Sequence, residues 1–332
     1  MNERFRDFDL GLYSKYRGEL MGVAAIMVIA SHVYGFGVEM CDPIRRLLGV
    51  GASGVELFLF VSGFGLWKSY DDATKGTFSI SACNIFPWYK KRYQRILIPY
   101  LIFAIPIYGL LTLLDHMDMA EYIKRILFIS FWRDGLGLWY VAMLIPLYFV
   151  APFVIRALSG DRKITWLILL VLIAELYAYF AFGGEVDVFF SRFMVSRLPI
   201  FFIGVFMGKA ICEGKRVSLW FVLIVPLLVY ILLYGLNHFA GTRFFYLWLL
   251  TMPFSTMLVW LLSRSNWLQV IFKFLGKMSL EIYCTHAFVP LCIIRAFNMP
   301  PSLYMYLLGV GISILLSMGI NKLSKIIIDK IK

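Results

Sequence analysis

Apolar runs long enough to cross a bilayer recur along nearly the whole chain, separated by short clusters of charged residues. Read at about 20 residues per crossing, they predict ten spans, at 19–36, 48–68, 96–114, 138–155, 165–182, 195–211, 218–236, 244–262, 279–296 and 303–321. The expected fold class is therefore all-α, a polytopic membrane protein of about ten transmembrane helices. Every connection is too short for a separate soluble domain, so residues 1–332 are expected to form a single integral-membrane domain. One further segment, EYIKRILFISFW at Glu121–Trp132, is short and amphipathic, which predicts a helix lying along the outer interface. No repeat of 20–50 residues is evident.

Composition agrees with the pattern. The chain is 61% apolar and 16% charged, where a soluble domain is about 45–50% apolar and 25% charged. Its 30 Phe, 19 Tyr and 9 Trp are enough to furnish aromatic belts at both interfaces.

The net charge of +12 raises the question of nucleic acid, and the placement of the charges answers it. The N-terminal segment, the even-numbered loops and the C-terminal segment hold 23 of the 32 Lys and Arg, and the other loops hold 9. By the positive-inside rule both termini are expected in the cytoplasm, with the charge serving orientation and lipid headgroups. The start of the chain mixes charge signs and the first span has no small-residue cleavage site, so a retained signal anchor is expected. Five scattered cysteines (Cys41, Cys83, Cys212, Cys284, Cys292) make no C-x-x-C pair, and neither a disulfide framework nor a metal site is expected.

Chemistry enters with the polar residues inside these spans, since an intramembrane ionisable group marks function by default. In the first span, YRGELMGVAAIMVIASHVYGF, twelve uncharged residues separate Glu19 from His32. In the second, GVGASGVELFLFVSGFGLWKS, Glu56 lies within about one helical turn of the depth of His32. A carboxylate and an imidazole so placed can form a dyad in which the acid orients the ring, or can be two polar residues on different faces. Gly51, Gly54, Gly63 and Gly65 suggest close helix packing, and Ser62 lacks the G-x-S-x-G context of a nucleophile.

The second loop ends in FPWYKKRYQRILIPYL, where Arg92 and Arg95 are three apart and share a helical face. Paired guanidiniums suit a phosphate, although a basic cluster at a span mouth also serves as a headgroup anchor. Pro99 is expected to bend the span that follows. Trp139 and Tyr140 open the fourth span, as belt residues or as a stacking surface for a sugar. Glu175 is expected to face the bundle interior, and Arg192 and Arg197 to anchor the sixth span or hold an anion. His238 and Arg243 mark a short outer loop, and Glu281, Tyr283 and His286 share the inner half of the ninth span.

Taken in order, the first-span His, GVELFLFVSGF, R-x-x-R, LWYVAMLIPLY, FFIGVFMGK and GKMSLEIYCTHAF resemble the acyltransferase family 3 membrane proteins. The resemblance runs from about Tyr16 to beyond His286. It implies transfer of an acyl group, usually acetyl, from cytoplasmic acyl-CoA to a hydroxyl of an envelope polysaccharide or glycoside. His32 matches the family's catalytic His, Arg92 and Arg95 its donor-handling R-x-x-R, Glu56 an acidic position, and His286 a ninth-span His. The family's usual basic residue, eleven before the first-span His, falls here on Met21, with Arg17 one turn earlier in its stead.

The expected mechanism has Arg92 and Arg95 hold the phosphates of acetyl-CoA while His32, oriented by Glu56, takes the proton of the acceptor hydroxyl. Arg17, Trp139, Tyr140 and His286 are the expected substrate-binding residues. The implied partners are acyl-CoA, an envelope glycan and membrane lipids, with no nucleic acid and no metal, in the cell (inner) membrane. A transporter or flippase of a glycan or lipid-linked sugar is the alternative, though the chain shows no inverted repeat.

Overall fold

In the computed structural model, residues 7–36, 38, 40–76, 85–135, 137–180, 194–241 and 245–331 are described. The chain is overwhelmingly helical. The principal helices are α1 (Arg17–His32), α2 (Gly54–Thr74), α3 (Ile85–Leu114), α4 (Met119–Ile126), α5 (Ile129–Asp134), α6 (Trp139–Ser159) and α7 (Lys163–Phe180). After them come α8 (Leu198–Cys212), α9 (Leu219–Phe239), α10 (Thr251–Arg264), α11 (Asn266–Gly276), α12 (Ser279–Thr285), α13 (Phe288–Ala296) and α14 (Leu303–Ile331). Two short strands, β1 (Asp7–Asp9) and β2 (Arg216–Ser218), pair antiparallel with Phe8 opposite Val217. Hydropathy could not foresee that pair.

Among the described residues, eight helical segments are long and apolar enough to cross a membrane, and α11 with α12–α13 makes a ninth that is bent by 64°. Each of the ten expected spans is occupied by helix, but the one expected at 195–211 is the 15-residue α8. At 1.5 Å per residue α8 reaches about 22 Å, short of the roughly 30 Å hydrocarbon core. Pro199 sits at its first turn, and Gly214, at φ +63°, ends it. The Glu121–Trp132 segment forms two short helices, α4 and α5, joined at Phe128 in the left-handed conformation. Asp118 caps the first of them, accepting the Glu121 N–H at 2.6 Å. Pro99 and Pro106 both lie inside the unbroken α3.

The chain folds as two compact units, each assembled from three segments. The first comprises Met1–Gly22, Val55–Ile85 and Phe149–Phe274. Its helices approach closely through glycine: a Cβ on Gly63 would lie 2.5 Å from the Phe201 carbonyl oxygen, and one on Gly204 would strike the Phe60 carbonyl. Tyr13 is fully buried there, its hydroxyl 2.6 Å from Thr256 Oγ1 and its ring edge-on to Phe60. Glu175 does face the interior, accepting Trp248 Nε1–H at 2.7 Å and the Phe245 N–H at 3.3 Å.

The second unit comprises Val23–Gly54, Phe86–Tyr148 and Leu275–Lys332. Gly51 and Gly54 pack on α1 here, Gly54 against the Ala24 carbonyl and the Met27 and Val28 side chains. A polar seam joins α12 to α14. Ser317 Oγ lies 3.0 Å from Thr285 Oγ1, Ser313 Oγ donates to the Thr285 carbonyl at 3.2 Å, and Asn321 Nδ2 donates to Glu281 at 2.8 Å. Ser313, Ser317, Asn321 and Lys325 recur every four residues, as do Lys277, Glu281 and Thr285, so each set lines one face of its helix.

Candidate active site

His32 and His286, 254 residues apart in sequence, meet in the second unit. His286 Nε2 lies 3.3 Å from His32 Nδ1, and the rings meet edge to face with centroids 4.7 Å apart. Local chemistry puts each ring in place. His32 ends α1, where carbonyls lose their helical partners. Val28 O accepts from Ser31 Oγ at 2.8 Å and from His32 Nδ1 at 2.9 Å, and Ile29 O accepts from the Tyr306 hydroxyl at 2.6 Å. His286 stands in the break between α12 and α13. Pro290 causes that break: it lacks an N–H, and its ring collides with the carbonyl four residues earlier, which belongs to His286.

These partners define the proton positions. A backbone carbonyl only accepts, so His32 Nδ1 carries a hydrogen for Val28 O. By the same reasoning His286 Nδ1 donates to Tyr283 O at 2.8 Å and Ile282 O at 3.1 Å. With both rings neutral, His286 Nε2 presents a lone pair to His32 Nδ1–H, which Ser31 Oγ also approaches at 3.3 Å. The second lone pair is on His32 Nε2, which meets no hydrogen-bond partner among the described residues.

Further rings back the pair. Tyr283 lies 5.8 Å from His286 by centroid and 5.1 Å from Tyr140, and its hydroxyl accepts the Tyr140 N–H at 3.1 Å. Tyr140 is buried, and Trp139, half-buried, stands edge-on to it at 6.1 Å. An apolar cavity of about 520 Å³ is lined by Gly35, Phe36, Ala287, Phe288, Leu291 and Ile294, the stretches that follow each histidine.

A second cavity, of about 370 Å³, is polar. Arg95 and Pro99 of α3 line it with Lys277, Ser279 and Glu281, and with Asn321, Lys325 and Asp329 of α14. Three cations thus face two carboxylates, and Glu281 is already engaged by Asn321. Arg92 is not among the residues that line it; its guanidinium carbon lies 5.9 Å from the Trp88 ring centroid. The sequence reading missed Lys277, Asn321 and Lys325; the four-residue polar spacing on otherwise apolar helices was the signal for them.

In the first unit, Glu56 and Arg197 form a buried ion pair, the residues 0% and 3% exposed. Arg197, read as an anchor or anion site, has Glu56 as its anion. Arg17 lies against Gly65, where an added Cβ would come 2.5 Å from a guanidinium nitrogen. His238 stacks on Tyr234 with centroids 6.1 Å apart. Arg192, Arg243 and Cys83 lie outside the described residues. Among the described residues no group of three or more His, Cys, Asp or Glu could hold a metal.

Away from the spans, Glu121 is held below the usual carboxylate range, first by the Ser130 hydroxyl donating at 2.7 Å and then by Arg125. Asp134 is lowered likewise, chiefly by its hydrogen bonds from Arg133.

The family model for acyltransferase family 3, described as an acyltransferase domain, matches residues 20–322. No curated protein and no solved structure matches the chain.

Proposed function

The chain belongs to this acyltransferase family, and from that premise we propose that it moves an acyl group, acetyl above all, from cytoplasmic acyl-CoA to a hydroxyl of a cell-envelope polysaccharide or glycoside. It is a multi-pass membrane acyltransferase; donor, acyl group, acceptor and residence in the inner membrane are the proposal. One observation carries it: helix α12 joins the cation-lined cavity to the histidine pair. Glu281 at the cavity and His286 at the pair are five residues apart, about 7.5 Å of helical rise.

Arg95, Lys277 and Lys325 suit the phosphates of CoA, because charge-assisted bonds to phosphate are the strong ones. A volume of about 370 Å³ falls within the usual range for ligand cavities. The excess of Lys and Arg in alternate loops supports a cytoplasmic opening, since Arg95 and Lys277 both belong to the richer set. Arg92, over the Trp88 ring and one helical turn from Arg95, adds positive charge to the same stretch of helix.

In the reaction the acceptor oxygen attacks the thioester carbonyl, forming the new C–O bond while the C–S bond breaks. His32 Nε2 takes the hydroxyl proton and passes it to the departing thiolate, leaving free CoA. The negative end of the α1 dipole favours the imidazolium formed in between. Trp139 and Tyr140 remain candidates for the acceptor side. Glu56 and Arg17 enter the proposal as supports, the first through Arg197 and the second against Gly65.

The test is acetyl-CoA binding to detergent-purified protein, wild type beside Arg95→Ala/Lys277→Ala. Saturable binding that the double variant loses supports the reading. Absence of binding by folded wild-type protein overturns acetyl-CoA as the donor.

A further inference from the structure

We infer that His286 is a positioning residue for His32: its Nε2 lone pair shares the His32 Nδ1–H with Val28 O, helps hold Nε2 of His32 as the basic nitrogen, and binds that hydrogen more strongly when His32 is protonated. This rests on the proposed role of His32 as general base. Carboxylate–histidine pairing is the common way to orient a catalytic imidazole, and here a second imidazole occupies the orienting position.

Three observations converge. The Nε2–Nδ1 separation is 3.3 Å, with the two ring planes 84° apart. His286 is 2% exposed and its Nδ1 is committed to the Tyr283 and Ile282 carbonyls, so its free nitrogen has one direction left. The reverse proton arrangement, with His286 Nε2–H donating to His32 Nδ1, would set the His32 lone pair against Val28 O at 2.9 Å. Among the described residues, the hydrogen-bond and ring partners of the pair are neutral: the Ser31 hydroxyl, the Tyr283 ring and the carbonyls of Val28, Ile282 and Tyr283. When His32 takes a proton at Nε2, its Nδ1–H bond to His286 becomes charge-assisted, about twice as strong as the neutral bond. His286 itself stays neutral, since a second cation 3.3 Å away would be repelled.

Four histidines in the chain make the proton positions measurable. Nitrogen-15 NMR of histidine-labelled protein, assigned by single His→Gln variants, should find His32 with hydrogen on Nδ1 and a lone pair on Nε2. His286→Leu leaves Val28 O to accept the Nδ1–H, so the tautomer should persist while the His32 Nδ1 signal shifts and kcat falls about tenfold, less than the 10²–10⁴-fold of losing the base itself, with KM for acetyl-CoA unchanged. His286→Gln, whose amide oxygen can accept in the place of Nε2, should restore the His32 Nδ1 signal and part of the rate. A wild-type His32 carrying hydrogen on Nε2, or a His32 signal and kcat indifferent to His286→Leu, would overturn the inference. If His286→Leu fails to fold, the wild-type tautomer and the Gln variant decide. The NMR readout stands without turnover, so a failure of acetyl-CoA as donor shows up separately, as absent transfer with the tautomers intact.

Discussion

Glu56 and Arg197 neutralise one another in the interior of the first unit, neither side chain exposed beyond a few per cent. Two charges removed from water survive there only as a pair, and losing one partner strands the other. Arg197→Leu should therefore lower stability by about 3–5 kcal/mol, and Glu56→Leu/Arg197→Leu should recover much of that loss. Thermal unfolding in detergent, followed by tryptophan fluorescence, checks the ordering.

Close helix approach gives a second expectation. Gly63→Ala puts a methyl group 2.5 Å from the Phe201 carbonyl oxygen, between backbones that cannot yield cheaply. Overpacking of this kind costs about 1–3 kcal/mol. Gly235 in α9 has nothing within 4 Å of an added Cβ, so Gly235→Ala should be neutral or stabilising by up to about 1 kcal/mol. The two midpoints should move in opposite directions or only the first should fall.

The two arginines of the R-x-x-R run should not be equivalent. Arg95 lines the polar cavity, whereas Arg92 lies over Trp88. A hydrogen bond to a charged group contributes about 1.5–3 kcal/mol, so Arg95→Ala should weaken acetyl-CoA binding by about 10- to 100-fold. Arg92→Ala should weaken it less. Titration of each purified variant with acetyl-CoA measures the difference.

Acid should loosen the α4–α5 segment. The Glu121 carboxyl is lowered in the folded state, so its contribution is present above its ordinary value of 4.5 and is lost as pH falls below that value. Ser130→Ala removes the foremost cause, and should shift loosening to higher pH and reduce its size. Hydrogen exchange of 119–134 as a function of pH follows the change.

Much of the fold was legible because the hydrocarbon core imposes a length on apolar runs: helix occupies part of each of the ten predicted spans, and among the described residues eight, or nine with the bent segment, are long and apolar enough to cross. The exceptions have local causes. Pro199 and Gly214 shorten α8, and Pro290 breaks the ninth span at His286. Both prolines stood in the sequence, where their effect could have been placed by the four-residue rule. The partners of the polar residues were not legible. That Arg197 meets Glu56, or that His286 meets His32, depends on which helix faces which, and periodicity names a face without naming its neighbour. Glycine spacing, in contrast, pointed correctly to close packing at Gly51, Gly54 and Gly63, because only backbone approach rewards a missing side chain.

The most direct test of the central claim is incorporation of labelled acetyl groups from acetyl-CoA into envelope polysaccharide, by membranes containing wild-type protein or His32→Ala at equal abundance. Incorporation by the wild type, reduced about 10²–10⁴-fold in His32→Ala while acetyl-CoA binding persists, is the result predicted for a general base at His32. Equal incorporation by the two proteins would contradict it.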